Sequence, residues 1–187
     1  MTEPLRVAIN GFGRIGRNVL RAWVERGFDP ALDLVAVNDL WDGDTLAHLL
    51  RYDSAHGRFW GQVIRHRDPE RLHVQAAGGN RELLLLRQAD PAQLPWAALG
   101  VDVVLECTGQ FRARAEAARH LQAGAGKVII GAAPFDEVDA TIVYGVNHQT
   151  LNNEQRVISS VSCTTHALAP MMKILDEAFG VESALMT

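Results

Sequence analysis

Residues Gly11-Phe12-Gly13-Arg14-Ile15-Gly16 place three glycines at the first, third and sixth positions of a hexapeptide. The run before them, Leu5 to Ile9, is short and apolar; the segment after them, Asn18 to Arg26, carries Val19, Leu20, Trp23 and Val24 at helical spacing. Strand, tight turn and helix are expected in that order. Glycines at these positions let the backbone turn sharply and come close to a bound group. The helix behind them offers unpaired N–H groups and the positive end of its dipole, which suits a pyrophosphate.

Leu32 to Val37 (LDLVAV) is a second apolar run, closed by Asn38-Asp39 and followed by Asp44 to Arg51, whose acidic start suits a helix N-terminus. Asp39 stands where an acidic side chain accepts hydrogen bonds from the ribose hydroxyls of a dinucleotide and repels a 2′-phosphate, so NAD rather than NADP is the expected cofactor. Further on, Leu72 to Gln75 and Glu82 to Leu86 flank Gly78-Gly79-Asn80, a tight-turn signal for antiparallel strands. Val101 to Glu106, Lys127 to Ile130, Thr141 to Tyr144 and Arg156 to Ser159 read as strands, and Arg112 to Gln122 as a helix. The expected fold is α/β: a doubly wound, mostly parallel Rossmann-type sheet with a small antiparallel hairpin insertion around residues 60–88.

With 18 Lys+Arg against 22 Asp+Glu, a net charge of -4 and no dense basic run, the chain is not expected to bind nucleic acid. No apolar stretch approaches the roughly 20 residues needed to cross a bilayer, so a membrane role is not expected. The two cysteines, Cys107 and Cys163, lie far apart in segments of different character, and no signal-peptide pattern opens the chain. A reduced, cytoplasmic setting is expected. His48, His56 and His148 share no metal-ligand spacing with one another or with the cysteines, and no metal is expected.

Cys163 sits in Ser162-Cys163-Thr164-Thr165-His166, just ahead of Leu168, Met171, Met172, Leu175 and Phe179, an apolar stripe at helical spacing before Gly180 that is expected to pack in a core. A cysteine near a helix start is more often an inert small hydrophobe. In this setting, though, a thiolate would be stabilised by the dipole, and the neighbouring hydroxyls and N–H groups could hold a phosphate or an oxyanion. Cys107, at the end of an apolar strand, reads as structural.

Four segments together, Ile9 to Arg17 (INGFGRIGR), Tyr52 to Phe59 (YDSAHGRF), Tyr144 to Asn147 (YGVN) and Ser162 to Thr165 (SCTT), resemble the glyceraldehyde-3-phosphate dehydrogenase family across nearly the whole chain. Leu94 to Gly109 and His48 to Phe59 look like its erythrose-4-phosphate dehydrogenase branch. The resemblance implies an NAD-dependent phosphorylating aldehyde dehydrogenase of glycolysis. In it Cys163 attacks glyceraldehyde 3-phosphate, the thiohemiacetal passes hydride to the nicotinamide and becomes a thioester, and inorganic phosphate or water cleaves that thioester. It also implies that Gly11, Phe12, Gly13, Arg14, Ile15 and Gly16 surround the pyrophosphate, that Asp39 binds the adenine ribose, that Thr108 and Gly109 line the cofactor, and that Ser162 and Thr164 bind phosphate.

Three departures accompany it. The family's catalytic histidine would fall a few residues beyond Thr187, with most of the catalytic domain. Residues 1–160 are then the NAD-binding domain and 161–187 the start of the catalytic domain, which makes this an incomplete enzyme expected to be inactive alone and homo-oligomeric when complete. Ala184 to Thr187 reads as the start of a further strand. His166 replaces an asparagine, and Gly131-Ala132-Ala133-Pro134 replaces a serine near the nicotinamide. A stand-alone, non-catalytic NAD-binding module is the reading from another class.

Overall fold

The computed structural model describes residues 3–185. Strand β1 (Leu5–Asn10) has Val7, Ala8 and Ile9 all buried, as a strand covered on both faces must. It runs through the glycine turn into α1 (Arg14–Glu25), then β2 (Leu32–Asn38) and α2 (Gly43–Arg51), whose N-cap Asp42 accepts from the Thr45 N–H at 3.0 Å. A small antiparallel pair follows, β3 (Tyr52–Asp53) with β4 (Gly57–Arg58), which the sequence reading did not foresee.

The insertion is larger than a hairpin. Three antiparallel strands, β5 (Gln62–Arg67), β6 (Glu70–Ala76) and β7 (Gly79–Leu86), form a meander, and the last joins β2 in parallel. β5 escapes a reading by alternation because Gln62-Val63-Ile64-Arg65-His66-Arg67 buries only Val63.

The α/β rhythm resumes with β8 (Val103–Glu106), the short helices α3 (Arg114–Ala117) and α4 (Arg119–Gln122), then β9 (Lys127–Ile130), β10 (Ala140–Thr141) and β11 (Val157–Ser159). One helix was expected over 112–122. Ala118, at φ −62° and ψ −13°, departs from helical ψ and resets the hydrogen-bond ladder between the two pieces.

The strand expected over Thr141–Tyr144 stops at Thr141 for a visible reason. Asn147 Oδ1 accepts from the Val143 N–H at 2.8 Å and its Nδ2 donates to the Thr141 carbonyl at 2.9 Å, so one side chain takes up the groups a neighbouring strand would have used.

The nine-stranded sheet has the order β10-β11-β9-β8-β1-β2-β7-β6-β5. From β7 to β11 every pair is parallel, and the order reverses about β1, the arrangement of a Rossmann-type sheet with its switch point between β1 and β8. Apolar clusters cover both faces. Val7, Ile9, Leu20, Trp23, Leu46 and Leu50 pack on one, and Ala8, Trp96, Val104, Ala117, Val128 and Val157 on the other.

The last helix, α5 (Cys163–Phe179), overturns one expectation. None of its residues is buried, and Met171, Ile174 and Phe179 are exposed. Its apolar stripe is no core element here, because no other element among the described residues covers it. Ala184 and Leu185 form no strand pairing, and Met186-Thr187 lie outside the described residues. Among the described residues no helix is long and apolar enough to cross a membrane.

The turn that joins β1 to α1 is sterically closed. A Cβ on Gly16 would lie 2.2 Å from the Gly11 carbonyl oxygen, whereas one on Gly13 would meet nothing within 4 Å. Gly16→Ala is therefore expected to destabilise the chain by roughly 1–3 kcal/mol in urea titrations, as overpacking does, with Gly13→Ala close to unchanged.

Candidate functional site

Parallel strands put all their carboxyl ends at one edge, and at the switch point that edge opens into a cleft of about 310 Å³. Gly11, Phe12 and Gly13 form its base, Asp39, Leu40 and Trp41 one wall, and Thr108, Gln110 and Phe111 the other. Leu40 and Trp41 are exposed apolar side chains in this wall.

The glycines divide the work. Gly11, at φ +91°, packs so closely on the loop after β8 that a Cβ would lie 2.6 Å from the Thr108 nitrogen. Gly13 caps α1 with no side-chain hydrogen bond and faces open space in the cleft. The first-turn N–H groups of a 12-residue helix are thus presented with room for an anion in front of them.

Asp39 is held ready by two backbone donors. Its Oδ2 accepts from the Phe12 N–H at 2.7 Å and its Oδ1 from the Trp41 N–H at 3.0 Å. Both oxygens keep further lone pairs for hydroxyl donors.

Other candidates are placed differently. Arg14 reaches away to Asp53 at 3.3 Å and to the Ser54 hydroxyl, Ile15 is exposed, and Gly16 packs beneath the turn. Gly109, at φ +74°, shapes the loop without lining the cleft. Cys107 does line it, but burial first and Glu106 second push its thiol up to about 12, which agrees with a structural role.

Beneath the cleft runs a buried polar chain that motif reading passed over. Register pairs Asn10 with Asn38 on one side and with Glu106 on the other, at the carboxyl ends of β1, β2 and β8. Asn38 accepts from the Gln88 N–H at 2.8 Å and donates to Asn10 Oδ1 at 2.7 Å; Asn10 Nδ2 donates to Glu106 Oε2. Trp96 Nε1 donates to His120 Nδ1 at 3.0 Å, so the ring's hydrogen sits on Nε2, which faces Glu106 Oε2 at 3.0 Å. Glu106 Oε1 accepts from the Thr108 N–H and hydroxyl, which ties down the cleft wall. The available signal was a polar residue closing each apolar run.

Cys163 is the first residue of α5 and is exposed. It follows β11, so it lies at the same sheet edge as the cleft, two strands from β8. Ser162 caps the helix by accepting from the Thr165 N–H at 3.2 Å, and its hydroxyl lies 2.9 Å from that of Thr164. Just before it, β-branched Val161 is held at φ +50°, a conformation that costs about 1–3 kcal/mol and is typical of functional sites. His166 turns back toward the helix cap, with Nδ1 3.3 Å from the Ser162 carbonyl.

Two results are expected of variants. Glu106→Ala leaves four donors without their acceptor and should cost about 3 kcal/mol or more in urea unfolding. Asp53, whose carboxyl is held at about 2 rather than 3.8 chiefly by the His56 and Ala55 N–H groups, should stabilise the chain fully above pH 3.8. That contribution disappears as pH falls through about 2, so the stability gap between the unmodified chain and Asp53→Asn should close over this interval in acid titrations followed by circular dichroism.

Residues 5–114 match the family described as glyceraldehyde 3-phosphate dehydrogenase, NAD binding domain, and residues 162–187 the corresponding C-terminal domain. Among curated proteins, glyceraldehyde-3-phosphate dehydrogenase of Pseudomonas aeruginosa is 52% identical over 183 residues, covering 98% of this chain and 53% of the relative. The plasmid and chromosomal glyceraldehyde-3-phosphate dehydrogenases of Cupriavidus necator are 53% and 52% identical over the same length. The chain spans about half the length of the curated relatives it matches.

Proposed function

The chain belongs to the glyceraldehyde-3-phosphate dehydrogenase family and carries its NAD-binding domain with NAD as cofactor; from that premise we propose that it is the cofactor half of a phosphorylating dehydrogenase acting on glyceraldehyde 3-phosphate. The observation that carries the proposal is the cleft at the switch point, with glycine backbone at its base and a pre-set carboxylate on its wall.

Gly13, Arg14, Ile15 and Gly16, at the start of α1, would hold the pyrophosphate through backbone N–H groups, with Gly11 and Phe12 beneath it, their own N–H groups donated to the Asn38 carbonyl and to Asp39. Asp39 would accept from the adenine ribose, with Leu40 and Trp41 as the apolar wall for the base. Thr108 and Gly109 would border the rest of the cofactor. Bound NAD supplies an acceptor for the hydride that leaves the substrate carbon.

In this reading residues 1–160 are the NAD-binding domain and 161–187 begin the catalytic domain. Cys163 Sγ forms the bond to the aldehyde carbon, and Ser162 and Thr164 offer hydroxyls and helix N–H groups to phosphate. Inorganic phosphate would then release the acyl group from sulfur. Among the described residues no histidine is hydrogen-bonded to Cys163, and His166 faces the cap carbonyl instead. A general base must come from elsewhere in the complete enzyme, so this chain alone is expected to bind NAD without turnover. Its two free cysteines suit a reducing, cytoplasmic setting, the names of the relatives suggest a place in glycolysis, and assembly with copies of itself is proposed for the complete enzyme. The names of the relatives favour glyceraldehyde 3-phosphate over erythrose 4-phosphate as substrate.

Calorimetry with NAD and NADP, followed by an assay with glyceraldehyde 3-phosphate and phosphate, tests the proposal. NAD is expected to bind more tightly than NADP. Asp39→Ala should lose about tenfold or more in NAD affinity, the scale of a charged hydrogen bond, and should narrow that preference. Cys163→Ser should leave NAD affinity nearly unchanged. Equal binding of the two cofactors by the unmodified chain would remove the assignment of Asp39, and turnover by this chain would overturn the proposal that its general base lies elsewhere.

A further inference from the structure

The solvent face of the antiparallel meander gathers three side chains that the cofactor cleft does not use: His66 on β5, His73 on β6 and Glu82 on β7. His73 is directly opposite Glu82, and His66 lies two residues from Ile64, the partner of His73, so all three share one face. The other face of the same strands is core, with Leu72, Val74 and Leu83 fully buried. The packing beneath therefore fixes the register that brings the three together.

Their ligating atoms lie within 4.8 Å of one another. The two imidazoles meet edge to face with centroids 6.1 Å apart, and His73 Nδ1 is 3.9 Å from Glu82 Oε1. Arg71 donates to the other carboxylate oxygen, Oε2, at 2.8 Å, which orients the carboxylate and leaves Oε1 turned to the histidines.

We propose that His66, His73 and Glu82 form a surface binding site for a divalent cation of the zinc class. Two imidazoles and a carboxylate are a ligand set suited to zinc, with a fourth position open to water. Ligand bonds of about 2.0–2.2 Å in tetrahedral geometry put ligand atoms roughly 3.3–3.6 Å apart. Closing from 4.8 Å to that spacing asks only for side-chain rotation of exposed or half-exposed residues. Bound there, the ion clips three consecutive strands together and stabilises the meander by mass action. Nothing in the sequence spacing announces the site, because each ligand comes from a different strand.

The test uses the untagged chain carrying Cys163→Ser, which removes the exposed thiol as a competing ligand. Zinc chloride added in a calorimeter should bind with one equivalent at this site, and His66→Ala or His73→Ala should each weaken that binding at least tenfold. In NMR spectra of the same Cys163→Ser chain, the ring C–H signals of His66 and His73 should shift with saturation at one equivalent, a readout that needs no further variant to fold. Undiminished zinc binding in the His66→Ala/His73→Ala double variant, or ring signals that do not move, would overturn the proposal.

Discussion

The hydrogen-bonded chain from Gln88 through Asn38, Asn10 and Glu106 to His120 and Trp96 crosses the carboxyl ends of the strands at the point where the sheet reverses. Buried polar groups are tolerable only when paired, and here each member satisfies the next. The chain locks β2, β1 and β8 in one register and reaches α4 through His120 and the cleft wall through Thr108. The floor of the cleft is therefore tied together by side-chain hydrogen bonds within the protein, and these set the positions of Gly11, Asp39 and Thr108 relative to one another.

On that floor the glycine turn supplies the geometry that a side chain would forbid. Gly11 and Gly16 allow backbone to pack on backbone, while Gly13 leaves the mouth of α1 clear. Asp39 closes the arrangement by accepting the Phe12 N–H, so the carboxylate proposed to bind the ribose also braces the turn proposed to hold the pyrophosphate. The segment that carries Cys163 is organised separately. Cys163 sits beyond a strained Val161 on a helix whose apolar face meets no partner among the described residues.

Much of this was legible in the sequence because apolar runs, glycine spacing and the SCTT segment carry strong local signals. The turn, the first two strand–helix pairs, the placement of Asp39 and the helix start at Cys163 all stand as read. What escaped the sequence was what depends on neighbours distant in the chain. Ile142 to Tyr144 looks like a strand until Asn147 takes its hydrogen bonds, and Gln62 to Arg67 looks polar until β6 pairs with it. The stripe on α5 has a helical period but no burial, since period says which residues share a face and not what covers it. Asn10, Asn38 and Glu106 were overlooked because each is unremarkable alone and becomes a network only through register.

A dinucleotide in the switch-point cleft, held by its backbone, is the central proposal. Backbone amide NMR shifts of the unmodified chain during NAD titration test it most directly. The largest changes are predicted at Gly11 to Gly16, Asp39 to Trp41 and Thr108 to Phe111, with the outer strands β5 and β6 unmoved. Changes centred elsewhere, with the glycine turn silent at saturating NAD, would contradict it.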